Sequence, residues 1–567
     1  MLVGSFIQSS CNTNIALAHS YHRRQPTSDL IRGPSKGKWT SPVHPSRSFV
    51  SSSGFLKDKK LGLLFSHSRS RNTQRPLIVV CQDSFDYDVA IIGAGVGGHG
   101  AALHAVANGL KTCIFEAQDI GGTCVNRGCV PSKALLSSAR RIRELRDRHH
   151  LRSLGVDVAD VAVDIQAVAG HAQGLANRVQ KNLGNSLKAL GVEVIHSRAK
   201  VKSSQLVELA NGETIRARDI ILAPGSVPFV PPGIQVDNKT VFTSDQALKL
   251  EWLPSWIAII GSGYIGLEFS DVYSSLGTEV TFVEALPNLI PGFDPEISRA
   301  AHRLLIQSRP IDYYTRSLAT KVIPGQPVQV VLSDADTRVV SRELQVDAVL
   351  VATGRKPNTE NLGLDDDDAN LGIKLARGGF IPTNEYMQVI RGGEDQVVVP
   401  HLYCIGDANG KMMLAHAASM QGISAIENIM GNRHSVNHRA IPAACFTHPE
   451  IAYVGWTEPQ ARQEASQQGF PLEKSIAHFR ANSKALAEME AEGMAKILFN
   501  AQTGELLGCH IIGIHASDLI QEAANAIANQ TSVYDLSYCV HTHPTLSEVL
   551  DEAFKDAKRK MLSRNIR

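Results

Sequence analysis

The chain has 567 residues, 43% of them hydrophobic and 20% charged, with nine cysteines and a formal net charge of +2. Such a length suits three or four domains with cores of their own. The apolar content excludes wholesale disorder, the lack of any run of about 18 apolar residues excludes a membrane-spanning helix, and an odd, sparse set of cysteines excludes a secreted disulfide scaffold.

The near-neutral charge conceals a split. Residues 1–80 hold twelve Lys and Arg against two acids, Asp29 and Asp58, and fifteen serines without apolar periodicity. Such a stretch buries too little surface to offset its ordering entropy. It reads as a disordered organelle transit peptide; the alternative is a basic tail that binds nucleic acid, which the lack of aromatic–basic interleaving disfavours. Met1–Ser20 carries no Lys or Arg, unlike the early basic helix of a mitochondrial leader, and Ile78-Val79-Val80-Cys81 resembles a chloroplast cleavage site. The expected location is the chloroplast stroma, with the mitochondrial matrix as the alternative. The remaining chain, with 45 bases and 53 acids, has no reason to seek nucleic acid or a membrane.

An apolar strand, Asp86–Ile92, runs into Gly93-Ala94-Gly95-Val96-Gly97-Gly98; a helix follows to Gly109, then a strand from Leu110 to Phe115 ending at Glu116. The pattern returns 168 residues later, with strand Trp256–Ile260, Gly261, Gly263, Gly266, a helix to Gly277 and a strand ending at Glu284. In each copy the first glycine permits the strand-to-helix turn, the second lets backbone approach a pyrophosphate, and the third lets helix pack on strand. The helix N-terminus faces the phosphates, and the terminal acid accepts ribose hydroxyls. Glu284 would repel a 2′-phosphate, and Ala285-Leu286-Pro287-Asn288 offers no arginine to receive one. Two such units suggest FAD bound by the first and NAD by the second.

Gly121-Gly122-Thr123-Cys124 continues through Arg127 to Cys129-Val130-Pro131-Ser132-Lys133. Pro131 is comfortable only in a helix first turn or outside a helix, which puts Cys129 at a helix N-terminus, where thiolate is favoured. Lys133, four residues on, is a cation near the flavin or a solvated helix charge. The bland reading of Cys124 and Cys129 is two buried thiols or half a zinc site; zinc needs a second ligand pair, none stands nearby, and no metal site is expected. The acidic run Asp365–Asp368 reads as a solvated loop, since it lacks spaced calcium ligands.

These residues together resemble the pyridine nucleotide–disulfide oxidoreductase family over essentially all of residues 84–567. Further stretches fit that resemblance: Ala352-Thr353-Gly354 as the turn closing the NAD unit, Gly406-Asp407 as the pair holding the FAD ribityl chain, and Lys411 to His416 as a flavin-contacting loop. It assigns Gly225, Asp407, Met413, Leu414, Ala415 and His416 to FAD, and Gly354 and Glu268 to NAD; packing or capping is the bland role of Glu268. His541-Thr542-His543-Pro544-Thr545-Leu546-Ser547-Glu548 resembles the signature of dithiol-handling members. A thiol substrate needs a base, and His543, which precedes proline, is the choice over His541. Glu548 orients it, or closes a capping box with Thr545 over a helix Leu546–Lys560.

Without a C-terminal cysteine pair or an NADP-binding arginine, the chain is most similar to the dihydrolipoyl dehydrogenase branch. Two residues depart from the family: Arg127 replaces an apolar residue between the cysteines, and Tyr264 resembles the nicotinamide-gating tyrosine of glutathione reductases. The resemblance implies an α/β fold of two Rossmann-like dinucleotide-binding domains, for FAD (81–240) and NAD (241–355), a central segment (356–440) completing the FAD site, and a C-terminal α+β dimerisation domain (441–567). It also implies a Cys124–Cys129 disulfide, attack by the substrate thiolate on Cys124, a homodimer in which His543 and Glu548 complete the partner's site, and a lipoyl-bearing acyltransferase as partner. A glutathione-type disulfide reductase and a non-catalytic nucleotide-binding subunit are the alternatives.

Overall fold

Strand–glycine turn–helix units of this kind form parallel sheets buried on both faces, and two are present in the computed structural model, which describes residues 85–364, 371–393 and 396–565. The basic leader (1–80) and Asp365–Asp368 lie outside the described residues.

The first sheet is built on β1 (Tyr87–Ile92), β2 (Thr112–Glu116), β3 (Glu193–His196) and β6 (Thr214–Leu222), with β17 (Gln388–Ile390) and β18 (Val398–Cys404) arriving from far along the chain, in the order β17-β18-β6-β1-β2-β3. The antiparallel β4 (Ala199–Ser203) and β5 (Leu206–Leu209) extend β6. Successive residues of β1 go to opposite faces, Val89 and Ile91 into one core cluster, Ala90 and Ile92 into another. Helices α1 (Val96–Ala107), α2 (Gly122–Arg127), α3 (Cys129–Arg146), α4 (Arg148–Ser153) and α5 (Ile165–Ala189) belong to this unit. Helix α9 (Ala415–Ile429) lies against α1 at close range, because small residues line the seam: a Cβ on Gly97 would stand 3.2 Å from the Ala418 Cβ.

The second sheet takes the order β11-β10-β9-β15-β8, from β8 (Val241–Thr243), β9 (Trp256–Ile260), β10 (Glu279–Val283), β11 (Ile311–Tyr314) and β15 (Ala348–Val351), all parallel. Helices α6 (Ser244–Ala247), α7 (Tyr264–Leu276) and α8 (Pro295–Ala301) accompany it. An antiparallel sheet of β12 (Ser317–Ile323), β13 (Val328–Asp334) and β14 (Val340–Val346) shares a core with one of its faces. The chain crosses between the two units twice, and the crossings pair as a ribbon of β7 (Ser226–Pro228) with β16 (Arg355–Pro357).

The last part is an antiparallel sheet, β19-β20-β23-β22-β21, from β19 (Ala443–Cys445), β20 (Glu450–Gly455), β21 (Leu472–His478), β22 (Met494–Asn500) and β23 (Leu506–Gly513). Helices α10 (Glu458–Gln468), α11 (Ser483–Ala487), α12 (Ala516–Ala528), α13 (Val533–Leu536) and α14 (Glu548–Asn565) complete it. Helix α14 starts two residues later than the sequence reading placed it and runs on past Lys560. Among the described residues no helix is long and apolar enough to cross a membrane.

Candidate active site

The two glycine turns have the same construction. Gly93 and Gly261 take φ of +116° and +98°, and a Cβ on either would collide with a carbonyl, Ala223 O at 2.2 Å or Ala352 O at 2.5 Å. A Cβ on Gly98 would lie 1.9 Å from Gly93 O, and one on Gly266 2.1 Å from Gly261 O, so both helices lie directly on their turns. Beside them stand the equivalent bends Ala223-Pro224-Gly225 and Ala352-Thr353-Gly354, where Ala223 N–H donates to Ile92 O and Ala352 N–H to Ile260 O, both at 2.8 Å. Gly95 and Gly263 cap α1 and α7 without a side-chain cap or a first-turn acid, leaving amide donors and the positive dipole end for an anion.

Each unit offers its acid at the sheet edge. Glu116 is buried; its Oε2 meets His196 Nδ1 at 2.6 Å, while Oε1 is buried without a hydrogen-bond partner. An unpaired buried acceptor beside the turn fits a ribose hydroxyl. Glu284 is held on both oxygens, Oε2 by Ser262 N–H at 3.0 Å and Ser262 Oγ at 2.7 Å, Oε1 by Leu286 N–H at 2.9 Å. A Cβ on Gly263 would meet nothing within 4 Å, so the approach to the second turn is open as a pyrophosphate requires. The residues present therefore fit two dinucleotides.

Asp407, in the turn Gly406–Asn409 after β18, accepts from Ser226 Oγ at 2.5 Å, and Arg355 Nε donates to the same Ser226 Oγ at 2.7 Å. The sequence reading missed both partners, which lie on the inter-unit ribbon. Leu414 caps α9, Ala415 is its first residue, and His416 Nε2 lies 2.7 Å from Pro442 O. Met413 is exposed beside them.

Cys129 is the first residue of α3, as the proline implies, and Cys124 lies on α2. The pair was expected as a disulfide; the structure shows both as free cysteines. Hydrogen bonding with Cys124 is the largest cause drawing the Cys129 thiol down to about 7; burial opposes it, and Lys133 assists. The same bond, with burial, pushes Cys124 well above the ordinary thiol range.

Lys133 and Glu268, assigned to different cofactors, form one ion pair. Lys133 Nζ reaches both Glu268 oxygens at 2.8 and 2.9 Å and lies 4.3 Å from the centre of the Phe446 ring. Burial pulls the ammonium pKa down, but Glu268 outweighs it and holds it above its usual value. Glu268 Oε1 also accepts Phe446 N–H at 3.1 Å, so α3, α7 and the C-terminal sheet meet at one carboxylate. One turn on, Asp271 repeats the arrangement, accepting from Arg143, from Arg309 at 2.8 Å and from His448 N–H at 2.7 Å.

Arg127 pairs with Asp119 and, at 3.9 Å, with Asp245, which gives a cation partners where an apolar residue is usual. Tyr264 packs on Phe293 with ring centres 5.0 Å apart, and Phe293 packs on Tyr453 at 5.8 Å, so an aromatic contact joins α7 to the C-terminal sheet.

His543 and Glu548 stand together. His543 Nδ1 lies 2.8 Å from Glu548 Oε1, and Thr545 N–H donates to Oε2 at 2.9 Å. One carboxylate thus makes both contacts, one oxygen each, but the capping box of the sequence reading is only half formed, because the helix begins at Glu548 and the Thr545 hydroxyl donates to Thr542 O. The backbone bond at Thr545 and the His543 contact hold the Glu548 carboxyl below its usual range. The His543 side chain is 71% exposed, whereas His541 is 8% exposed and paired with Glu522 at 2.9 Å. No hydrogen bond or ion pair joins His543 to either cysteine within one chain.

A family model described as pyridine nucleotide-disulphide oxidoreductase matches residues 87–422, and one described as its dimerisation domain matches residues 441–554. The chain is 59% identical over 476 residues to a dihydrolipoyl dehydrogenase of Synechocystis, covering 83% of this chain and 99% of the relative. It is 55% identical over 517 residues to the chloroplastic dihydrolipoyl dehydrogenase 2 of Arabidopsis thaliana, covering 91% and 89%. Among solved structures, LpdA from Mycobacterium tuberculosis superposes with a TM-score of 0.73 at 27% identity, covering 82% of this chain and 99% of that one. With both matched segments spanning the paired glycine turns, the cysteines and the C-terminal sheet, the chain belongs to the pyridine nucleotide-disulphide oxidoreductases.

Proposed function

We propose that the chain is the NAD-dependent flavoprotein that oxidises protein-bound dihydrolipoamide to lipoamide, acting in plastids as the dihydrolipoyl dehydrogenase component of a 2-oxo acid dehydrogenase complex. The observation that carries this is the pair Cys124 and Cys129 on the adjoining helices α2 and α3, with Cys129 at the N-terminus of α3, within the FAD unit. Support for the plastid comes from the likeness to a chloroplastic relative, which extends over 91% of the chain; the stroma is the finer assignment.

Bound FAD supplies the two-electron exchange that joins dithiol oxidation to NAD+ reduction. It is held by Gly93, Gly95, Gly98, Glu116, Gly225, Asp407 and the stretch Met413–His416; NAD is held by Gly261, Gly263, Gly266, Glu284 and Gly354. In the oxidised protein Cys124 and Cys129 form a disulfide. His543 Nε2 takes the proton of one substrate thiol while Glu548 holds Nδ1. The resulting thiolate attacks the Cys124 sulfur; a mixed disulfide forms, and Cys129 leaves as thiolate, favoured by Lys133 and the α3 N-terminus. The second substrate thiol then attacks the mixed disulfide at the substrate sulfur, closing lipoamide and returning Cys124 as a thiol.

The chain pairs as a homodimer through its dimerisation domain, and the exposed His543 serves the cysteines of the partner subunit. The electron donor is presented by a lipoyl-bearing acyltransferase. We assign residues 81–240 to the FAD domain, 241–355 to the NAD domain, 356–440 to the segment completing the FAD site and 441–567 to the interface. The test compares NAD+ reduction by dihydrolipoamide with NADPH oxidation by glutathione disulfide. A yellow protein active only in the first assay is the expected result; activity only in the second overturns the assignment.

A further inference from the structure

The two units repeat the same turn and the same acid, yet they hold that acid by different means. In the second unit the residue between the first two glycines is Ser262, fully buried. Its amide and hydroxyl both donate to Glu284 Oε2, and its Oγ also accepts Ile290 N–H at 3.1 Å. Ile290 is a β-branched residue at φ 61°, a conformation such residues avoid, so the serine fastens a strained loop to the turn. In the first unit the equivalent residue is Ala94, which has no hydroxyl to give. There the acid is caught from the neighbouring strand: Glu116 and His196 are register partners in β2 and β3, and His196 Nδ1 meets Oε2 at 2.6 Å. The other oxygen is left buried and unpaired.

We infer that His196 and Ser262 are the positioning residues for the two ribose-reading carboxylates, His196 for FAD through Glu116 and Ser262 for NAD through Glu284. A carboxylate fixed on one oxygen presents the other in one direction, and a free rotor does not. The difference between the units also suits their ligands. Glu116 has a buried oxygen that no protein group satisfies and that a bound ribose would, which favours a resident dinucleotide. Glu284 is satisfied by its own chain, which favours one that exchanges at each turnover.

The inference rests on the FAD and NAD reading of the two units. Its test uses the full-length holoprotein. FAD release is followed by free-flavin fluorescence on serial dilution, and ADP-ribose, which lacks the nicotinamide, is titrated by calorimetry. His196→Ala raises the FAD dissociation constant about tenfold or more and leaves ADP-ribose binding within about twofold; Ser262→Ala does the reverse. His196→Asn and Ser262→Thr, which keep a donor, restore each constant. A wild type holding neither ligand overturns the parent reading and this one with it. A wild type holding both, with variants that move both constants alike or leave their own ligand unmoved, overturns this inference alone.

Discussion

Replacing Asp271 by asparagine tests whether the joint below the active site holds the molecule together. The Asp271 side chain is 2% exposed and Arg309 is 10% exposed. Burial opposes ionisation of Asp271, but Arg309 and Arg143 outweigh it and hold the carboxyl below its usual range. Removing one partner of a buried ion pair costs about 3–5 kcal/mol, because the remaining charge stays buried without compensation. For a body of this length the unfolding entropy is roughly 1 kcal/mol per kelvin, so the thermal midpoint falls by about 3–5 °C. Far-ultraviolet circular dichroism at a fixed heating rate measures it. Adding Arg309→Met to Asp271→Asn removes the more deeply buried of the two stranded cations, Arg143 being the other, and recovers part of the loss. The pH dependence has a definite sign: the folded carboxyl titrates below its unfolded value, so its contribution is complete above about pH 4 and disappears as pH falls through the folded value. A midpoint within about 1 °C of wild type, or a double variant worse than the sum of the singles, would refute the reasoning.

Three further outcomes are expected. His543→Gln lowers dihydrolipoamide-driven NAD+ reduction by about 10²–10⁴-fold, and Glu548→Gln by about tenfold, while reduction of the bound flavin by NADH is unchanged in both; an active His543→Gln protein removes the base assignment. Cys124→Ala takes away the largest cause of the depressed Cys129 thiol, so its titration moves up from about 7, and less thiolate is present at neutral pH; alkylation of reduced protein against pH, read by mass spectrometry, measures the midpoint, and an unmoved midpoint contradicts the hydrogen bond. Lys496 is fully buried among Asp294, Glu296 and Glu458, and Lys474, 37% exposed, reaches the two glutamates from outside; Lys496→Met costs about 3–5 kcal/mol in urea unfolding, and a loss below about 1 kcal/mol would mean the carboxylates find other partners.

What the sequence disclosed was local in the chain. Gly93 to Glu116 and Gly261 to Glu284 are contiguous units whose spacing encodes turn, helix and strand, and Cys124 to Lys133 lies within two adjoining helices, so their local structure was readable without knowing what they touch. The joints were not. Lys133 and Glu268 are 135 residues apart, and Phe446 meets Glu268 through a backbone N–H that carries no side-chain signature. That is why the pair was divided between two cofactors although it is one contact. His196 gave no signal, since its role follows from the register of β2 with β3. Ser262 did occupy a legible place, the variable position inside the second glycine turn, but only the fold puts Glu284 within 2.7 Å of its hydroxyl. Glu548 was legible as a partner of both His543 and Thr545, and its two oxygens make one contact each, but the start of the helix at Glu548 rather than Leu546 leaves the capping box half formed.

The placement of α3 links the chemistry to the architecture. Its first residue is the sulfur with the depressed pKa; one turn on, Lys133 feels both that sulfur and Glu268; three turns further, Arg143 binds Asp271. Along α7 the acceptors Glu268 and Asp271 are three residues apart, on one face, and they take the alternate amides of Phe446 and His448. Formation of the Cys129 thiolate adds an anion beside Lys133, whose single charge then serves two anions. Lys133 is held by Glu268 on one side and the Phe446 ring on the other, so the added charge meets a cation that is already in position and needs no rearrangement. Low reorganisation at the moment charge develops is what electrostatic preorganisation requires. The inter-unit joint therefore lies beside Cys129, where Lys133 lowers the thiol and Glu268 raises it, so Glu268→Gln should lower the Cys129 titration midpoint and Lys133→Met should raise it, both read by alkylation of reduced protein against pH; a midpoint unmoved in both variants would refute the coupling.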